Sequence, residues 1–441
     1  MQYLETVVHK GTSSRFGELV TGSGKYSMPV CSPALRTKAD VKAVIKNINS
    51  GMKLEVLSPY LSRRNKLSQE LKPLITQGSQ TMVTFGKPLI IPDIESEALS
   101  FNCIARLEYM KMGGYVSSVE KLLNTGLVGN SSNGQQSVHT AWREVDKKSS
   151  FSGLVNWMIT SQSSVGSDVL LLPTPIIRSS KITSIEAFQY VKKMLPTAKA
   201  TQAFTMFGVH LLFHAEIFRP EKDSDETRKA IVDEVNTWVT NQDLHDLFLT
   251  FKVHDPNHIL TDQFIGNIAR RNLSTLISDL QEGVKKAGGV LVAFNFGNWA
   301  LGALDSGADI VSFRVSGDMS IERPMKAIKG PKGPRKIPSF LIPRGLTDED
   351  PKVIKRIAQQ NNGAFPHTPY VNDKEYWDDS FNWNEKVLYT SQERCGVLID
   401  IGEEYRNAGL DKTIPLTDAV KSRVQQAQNN QELWDLCPSA W

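Results

Sequence analysis

Apolar and polar positions follow a strand–helix–strand spacing most clearly over residues 286–318. Apolar runs cover Val290–Phe296 and Ile310–Val315, and the first run stops at Gly297. Between the two runs, Trp299–Asp305 has the length of a short helix. A buried strand that leads through a helix into another buried strand is typical of a βαβ unit with parallel strands.

The same alternation of strands and helices extends upstream to about residue 167. Each strand–helix repeat spans roughly 40 residues or less, which is the rhythm of parallel strands joined by crossover helices. The pattern predicts strands at 167–175, 204–217 and 246–254, and helices at 152–166, 183–195, 223–240 and 273–287.

Three segments near the N-terminus add further strands. The pattern predicts a hairpin at 15–33, a first βα unit at 26–60 with a strand at Lys53–Pro59, and a short buried strand at 87–93. With these segments the chain has about eight strands. We therefore predict an α/β fold, a (β/α)₈ TIM-like barrel over residues 15–318, with an open doubly wound sheet as the alternative.

Residues 320–441 are predicted to form a C-terminal, α-rich extension packed on the barrel, because the strand–helix alternation stops there. A helix is expected at 347–362, where Thr347 is followed by three acidic residues, and another after residue 414. Segment 364–394 between them is aromatic and polar.

Composition narrows the class of protein only modestly. Hydrophobic residues make up 40% of the 441 residues and charged residues 22%, and the net charge of +4 permits a nucleic-acid partner without requiring one. No apolar stretch approaches the roughly 20 residues of a membrane-spanning helix, so no membrane partner is expected. The first residues lack a secretory signal pattern, and the cysteines are scattered, so we expect a cytoplasmic location.

Common nucleotide-binding and hydrolase motifs are absent from the sequence. There is no Walker A motif and no GxGxxG, HExxH or GxSxG pattern. The four cysteines form no CxxC or CxC pair. We therefore assign no cofactor and no metal ion from the sequence.

A polar pattern within one predicted strand is the first candidate for chemistry. His210, Leu212, His214 and Glu216 alternate along that strand and would share one face, with neighbours on that face about 6–7 Å apart. This set suits acid–base catalysis, or a metal ion if His254 or Asp255 after the next strand adds a ligand. The structural alternative is that the histidines are hydrogen-bonded interior residues and that Asp255 caps its own loop.

Arg314 on the last predicted strand is a candidate for binding the substrate. An arginine on an inner strand face near the rim commonly binds a carboxylate or a phosphate. The alternative is a structural ion pair with Glu216 or Asp255.

Further polar residues occur where predicted strands end. Asn295 and Asn298 flank Gly297, and Asp318 follows the last strand, where it could instead cap a turn. Because parallel barrels build their sites at the carboxyl ends of the strands, we expect these residues to lie near Asp93 at one rim.

A dense basic cluster and a set of aromatic residues lie in the predicted extension. The cluster is interrupted by glycine and proline, and it could contact a nucleic-acid backbone or form a solvated loop. The aromatic residues could stack on bases, but such sets more often pack an extension on its host domain. The basic residues are Lys326, Lys329, Lys332, Arg335 and Lys336, and the aromatic residues are Tyr370, Tyr376, Trp377, Phe381 and Trp383.

Four segments together resemble the tRNA-guanine transglycosylase family. The hairpin GELVTGSGKYSMPVCSPALRTK is similar to the opening of these proteins, and ITSQSSVGSDVLLLPTP resembles their Q-x-x-x-G-S-D-I junction. KPLIIPDIES matches the strand that ends in an active-site aspartate, and GALDSGADIVSFRVS resembles a late A-V-x-x-G-V-D-M-F-D segment. The matches lie in the family's order and cover about half of the chain.

The resemblance implies a barrel that handles a nucleic-acid base, but the chain departs from the family at key positions. Ser312 stands where the family has its nucleophilic aspartate, and Thr174 stands near the second, base-recognising aspartate. Asp93 keeps the place of an active-site acid. The family's cysteine–histidine zinc motif is missing, since Cys395 has no neighbouring cysteine or histidine. If the chain is catalytic, Asp93 or Asp318 would act as nucleophile or base.

Three hypotheses for function follow from these observations. The first is a transglycosylase-like protein that handles a nucleic-acid base or a modified-base precursor. The second is a non-catalytic RNA- or DNA-binding barrel, and the third is a barrel enzyme on a small anionic substrate, with His214 or Glu216 as base and Arg314 as clamp. RNA or DNA is the expected partner in the first two cases, and a homodimer is left open.

Overall fold

The fold is a nearly closed barrel of eight parallel strands with helices around it. The computed structural model describes residues 1–7, 13–61, 64–75, 87–94, 151–178, 181–240, 247–255, 257–316, 340–342, 347–349 and 383–410. The strands are β1 (Gln2–Val7), β2 (Phe16–Thr21), β3 (Gly24–Met28), β4 (Val30–Leu35), β5 (Val56–Pro59), β6 (Leu89–Ile90), β7 (Val169–Ile177), β8 (Met206–His214), β9 (Phe248–His254), β10 (Val290–Phe294), β11 (Ile310–Arg314), β12 (Phe340–Ile342) and β13 (Thr347–Glu349). The helices are α1 (Lys38–Asn49), α2 (Arg64–Ile75), α3 (Phe151–Ser163), α4 (Lys181–Ala200), α5 (Lys222–Thr240), α6 (Gly266–Lys286), α7 (Ala300–Asp305) and α8 (Trp383–Leu410).

The barrel strands lie in the order β6-β5-β4-β11-β10-β9-β8-β7, and each pair is parallel. Asp168, just before β7, joins the two edge strands: its N–H donates to Ile90 O at 3.0 Å, and its carboxylate accepts from Ile90 N at 2.8 Å. The barrel therefore nearly closes on itself. This confirms the predicted (β/α)₈ TIM-like barrel rather than the open-sheet alternative. The strands after residue 167 pair in parallel, as predicted.

The described helices pack apolar faces on the barrel, as the sequence periodicity indicates. The first of them, α1, begins with a complete capping box: the Thr37 side chain accepts from Asp40 N, and the Asp40 carboxylate accepts from Thr37 N. These bonds satisfy amide groups that have no partner within the helix. The buried face of α1 includes Val41, Val44 and Ile48.

A three-stranded antiparallel sheet, β1-β2-β3, lies at the amino end of the barrel. Arg15, just before β2, forms a buried ion pair with Asp309, with Nε 3.0 Å from Oδ1, and also donates to Gly289 O at 2.8 Å. Asp309 and Gly289 directly precede β11 and β10. The small sheet is thus attached to the end opposite the carboxyl rim. The predicted hairpin at 15–33 is β2 and β3, and Val30–Leu35 continues as a barrel strand.

The long helix α8 packs against α1, β4 and the start of the small sheet. Asn47 Nδ2 donates to Gln392 O at 2.8 Å, and the Tyr405 hydroxyl lies 2.9 Å from Ser14 Oγ. Gly402 lies so close to Cys31 that an added Cβ would be 3.0 Å from the Cys31 backbone nitrogen. This close contact ties the helix to the barrel wall.

Two predicted elements differ from the structure. The helix expected at 347–362 is wrong at its start, because Thr347–Glu349 form β13 and pair with β12, which overrides the local acidic helix signal. The strand expected at 204–217 ends at His214, because the His214 side chain caps a 3₁₀ turn at Ala215–Phe218. The predictions for residues 350–362, 364–382 and the tail after 414 lie outside the described residues.

Within the described part of the chain, no helix combines the length and the apolar character needed to cross a membrane.

Candidate active site at the barrel mouth

A buried ion pair between Asp93 and Lys252 lies inside the carboxyl end of the barrel. Lys252 projects from β9, and Asp93 follows β6, three strands away around the barrel. Lys252 Nζ lies 3.1 Å from Asp93 Oδ2 and 3.4 Å from Oδ1, and the side chains are 1% and 0% exposed. Because these strands are not neighbours, the contact spans the barrel interior. Each charge favours the ionised form of the other.

Asn295 orients the Asp93 carboxylate. Its Nδ2 donates to Asp93 Oδ2 at 2.7 Å, and its Oδ1 accepts from the Tyr60 hydroxyl at 3.0 Å. Asn295 has a φ of 62°, in the left-handed region that asparagine tolerates better than most residues. The Ser312 hydroxyl accepts from Asn295 N at 2.9 Å and helps to hold this conformation.

Tyr60 connects the carboxylate network to Arg314. Arg314 Nε donates to the Tyr60 hydroxyl at 3.3 Å, and Lys252 Nζ lies 5.6 Å from the centre of the Tyr60 ring. Burial raises the pKa of Tyr60, although the nearby positive charges of Arg314 and Lys252 oppose this. The hydroxyl is therefore protonated at neutral pH and acts as a donor to Asn295. We call Asp93, Lys252, Asn295, Tyr60 and Arg314 the inner cluster.

His210 pairs with Thr250 and therefore lies two residues deeper in the barrel than Lys252. Its Nδ1 is 2.8 Å from the Thr250 hydroxyl, its ring packs 5.5 Å from that of Phe294, and its Nε2 has no hydrogen-bond partner among the described residues. Burial lowers its pKa to about 3, so the ring is neutral at physiological pH. These contacts correspond to the interior-residue alternative rather than to a base at the rim.

His214 and His254 lie side by side at the ends of β8 and β9, with ring centres 5.8 Å apart. His214 Nδ1 accepts from Glu216 N at 3.3 Å and lies 3.3 Å from Glu216 Oε2. Burial, reinforced by neighbouring positive charge, lowers the pKa of His214 to about 4 and that of His254 to about 3. Both rings are therefore neutral at pH 7. Glu216 reaches His214 from the 3₁₀ turn and not from the strand itself.

Two arginines lie near these histidines that the sequence pattern did not identify as candidates. Arg178 directly follows β7, and Arg219 directly follows the 3₁₀ turn after β8. Their positive charges contribute to the lowered pKa of His214, which places both near that ring. The position of Arg178 at the carboxyl end of a predicted strand is the feature that could have identified it. We call Arg178, Arg219, His214 and His254 the outer cluster.

The Asp255 carboxylate accepts hydrogen bonds from the loop that follows it. Its two carboxylate oxygens accept from Ile259 N at 2.8 Å and from Leu260 N at 2.9 Å, which caps a short 3₁₀ turn. Both bonds are local, so this geometry favours the capping alternative for Asp255 over the catalytic one.

Ser312 and Thr174, which the sequence resemblance sets against aspartates, both have hydroxyl groups bonded to backbone. Ser312 accepts from Asn295 N, and Thr174 donates to His210 O at 3.2 Å and accepts from Leu212 N at 3.3 Å. The remaining candidates, namely the Asn298 side chain, Asp318, Lys326, Lys329, Lys332, Arg335 and Lys336, lie outside what the structure describes.

Among the described residues, no group of three or more histidine, cysteine, aspartate or glutamate side chains is arranged to hold a metal ion. Cys395 is buried in α8, and burial raises the pKa of its thiol.

The fold and the two clusters together define a TIM-like barrel with a charged, polar mouth. No protein-family model matches the chain, and no curated protein matches it significantly.

Proposed function

We propose that this protein is a transglycosylase-like transferase that handles a nucleic-acid base or a modified-base precursor, with Asp93 as its functional carboxylate. The observation that carries the proposal is the position of Asp93: it lies just inside the barrel mouth, paired with Lys252 and oriented by the Asn295 amide. The likeness of four segments to tRNA-guanine transglycosylases supplies the substrate class.

The chemistry of base exchange needs such a carboxylate. When the C–N bond to a base breaks, positive charge develops on the sugar ring, and a fixed negative group beneath it stabilises the transition state. As a nucleophile, Asp93 would bond to the anomeric carbon as the C–N bond to the departing base breaks, and that base would take a proton from solvent. The incoming base would then attack the same carbon, return one proton to solvent and release Asp93.

The inner cluster keeps Asp93 ready for this role without further rearrangement. Lys252 and Asn295 fix the carboxylate from two sides, and Tyr60 fixes Asn295 in turn. Preorganised groups of this kind contribute because they are in place before charge develops. Arg314, which is partly exposed, adds positive charge at the entrance where a substrate anion would arrive.

Incorporation of labelled guanine into tRNA and into DNA tests the proposal. The wild-type protein should incorporate label into at least one of them, and Asp93→Asn should reduce the rate about 100-fold or more, on the scale of losing one preorganised catalytic group. Asp225→Asn, which removes an exposed carboxylate on α5, is the matched control and should leave the rate unchanged. Absence of incorporation by the wild-type protein into either polymer would contradict the proposal.

A barrel enzyme on a small anionic substrate is the second candidate. The His214–Glu216 contact of 3.3 Å and the position of Arg314 near the mouth favour it. A salt series separates it from nucleic-acid binding, because contacts to a polymer backbone weaken steeply with salt. Neutralising the basic residues between 325 and 336 should reduce that salt dependence if they contact the backbone of RNA or DNA.

A further inference from the structure

The outer cluster concentrates hydrogen-bond donors at the carboxyl ends of β7, β8 and β9. The Nε atoms of Arg178 and Arg219 are both buried, and neither has a hydrogen-bond partner in the part of the chain that the structure describes. The Nε atoms are buried although the Arg219 side chain as a whole is 37% exposed, and an unpaired buried N–H costs free energy that an acceptor from outside the protein would recover. Two such donors in one place point to an acceptor with several oxygens.

The charges around the cluster favour an anion. Glu216 attracts Arg178 and lies 3.3 Å from His214, and Glu221 lies 3.7 Å from Arg219, but these carboxylates are 32% and 61% exposed. Burial lowers the pKa of Arg178 from its ordinary value, which reflects incomplete compensation of its charge within the protein. An added anion would supply this compensation.

His214 fits the same ligand. Since its Nδ1 accepts from Glu216 N, the neutral ring carries its proton on Nε2 and has a further donor available. Arginine and neutral histidine donors together match the tetrahedral oxygens of a phosphate group.

We propose that the outer cluster is a phosphate-binding subsite, and that the ligand of this protein carries a phosphate group held by Arg178 and Arg219. That the same ligand places its sugar and base at Asp93 rests on the proposed function. In the parallel register, His214 lies beside His254, and Leu212 lies beside Lys252. The outer cluster is therefore two residues, or about 6.5 Å, further along the strands than Lys252. That separation suits a nucleotide whose anomeric carbon is at the inner cluster and whose phosphate is at the outer one.

Calorimetric titration of the full chain tests the subsite with four probes at constant ionic strength. The probes are inorganic phosphate, guanosine 5′-monophosphate, guanosine, and a short single-stranded oligonucleotide. The monophosphate should bind at least about tenfold more tightly than guanosine, since charge-assisted bonds to phosphate are stronger than neutral ones. Equal affinity of the two would overturn the proposal.

Variants with opposite expected effects separate binding from folding. Arg178→Gln should weaken monophosphate binding about tenfold and leave guanosine binding unchanged, whereas Glu216→Gln should tighten monophosphate binding by about threefold or more because it removes a competing negative charge. Arg271→Gln, which changes an exposed arginine on α6, is the matched control. If Arg178→Gln fails to fold, Arg219→Gln and Glu216→Gln carry the test. If both of these variants bind the monophosphate with wild-type affinity, the proposal is overturned.

The probes also identify the source of the phosphate. Arg178-dependent binding of the oligonucleotide indicates a nucleic-acid phosphate, and Arg178-dependent binding of the monophosphate alone indicates a small ligand. Failure of guanine exchange with phosphate binding intact would refute the proposed function and leave the subsite standing. Guanine exchange with no Arg178-dependent phosphate binding would refute the subsite and leave the proposed function standing.

Discussion

Lys252 Nζ lies 3.1 Å from Asp93 Oδ2 across the barrel interior, although the two residues are 159 positions apart in the sequence. Both side chains are buried, and Asn295 donates to the same carboxylate oxygen. The contact links β9 to β6, which is an edge strand of the nearly closed barrel. It therefore bears on the stability of the barrel as well as on its chemistry.

Removing one member of this pair should destabilise the protein strongly. Lys252→Met leaves the Asp93 carboxylate buried without its counter-ion, and Asp93→Asn leaves the ammonium in the same position, so each single change should cost about 3–5 kcal/mol. The double variant Asp93→Asn/Lys252→Met should cost less than the sum of the single changes, by about 0.5–3 kcal/mol. Urea unfolding of the four proteins measures this coupling, and additive effects would show that the pair does not interact.

The buried histidines should make stability fall as the pH drops. A histidine in the unfolded chain has a pKa near 6.5. Folded His210, His214 and His254 have values of about 3, 4 and 3, so below pH 6.5 the unfolded state binds more protons and becomes favoured. The stability they contribute is present above pH 6.5 and is lost as the pH falls toward 3–4.

Two measurements check this pH dependence. NMR of the histidine rings should show these three neutral at pH 5.5, and His254→Gln should flatten the decline in unfolding free energy between pH 6.5 and 4.5. His258→Gln, which changes an exposed histidine, serves as the control and should leave the slope close to that of the wild type. Ring titration near pH 6.5 for all three would contradict the burial seen here.

Gly208 on β8 should not tolerate a methyl group. A Cβ at this position would lie 2.5 Å from Leu171 Cδ2 and 2.7 Å from the Phe248 carbonyl oxygen, so a neighbouring strand would have to move. Gly208→Ala should therefore lower stability by about 1–3 kcal/mol, the usual cost of overpacking. Gly22→Ala at the hairpin turn, where a Cβ meets nothing within 4 Å, is the control. Thermal melting of both variants gives the comparison, and equal melting temperatures would refute the prediction.

A substitution at the amino end of the barrel should lower the stability of the protein without changing ligand binding at the opposite end. Arg15 and Asp309 form a buried ion pair there, and Arg15→Met would leave Asp309 without its counter-ion. The expected loss is about 3–5 kcal/mol of unfolding free energy. Binding of guanosine 5′-monophosphate at a temperature where the variant is folded should match the wild type. A changed affinity would show that the two ends of the barrel are coupled.

The sequence by itself determined the barrel and the rim. Apolar runs of strand length that alternate with amphipathic helices leave few other ways to bury both faces of the strands, so β7 to β11 could be predicted from periodicity. It also placed polar residues such as Asp93, Asn295 and Arg314 at strand ends, because those residues interrupt or follow apolar runs.

Only the tertiary structure decided which of these polar residues meet. Lys252 lies within an apolar run and gave no local signal, yet the closing of the barrel sets it against Asp93. Asp255 looked equivalent to Asp93 in sequence, but its carboxylate is engaged by the loop that follows it. Arg178 follows β7 and His254 ends β9, and the positive charge of Arg178 acts on the His254 ring because of strand order and register, which are properties of the whole sheet. Local patterns specify the elements, and long-range pairing specifies the site, because contacts across a barrel depend on how all eight strands close.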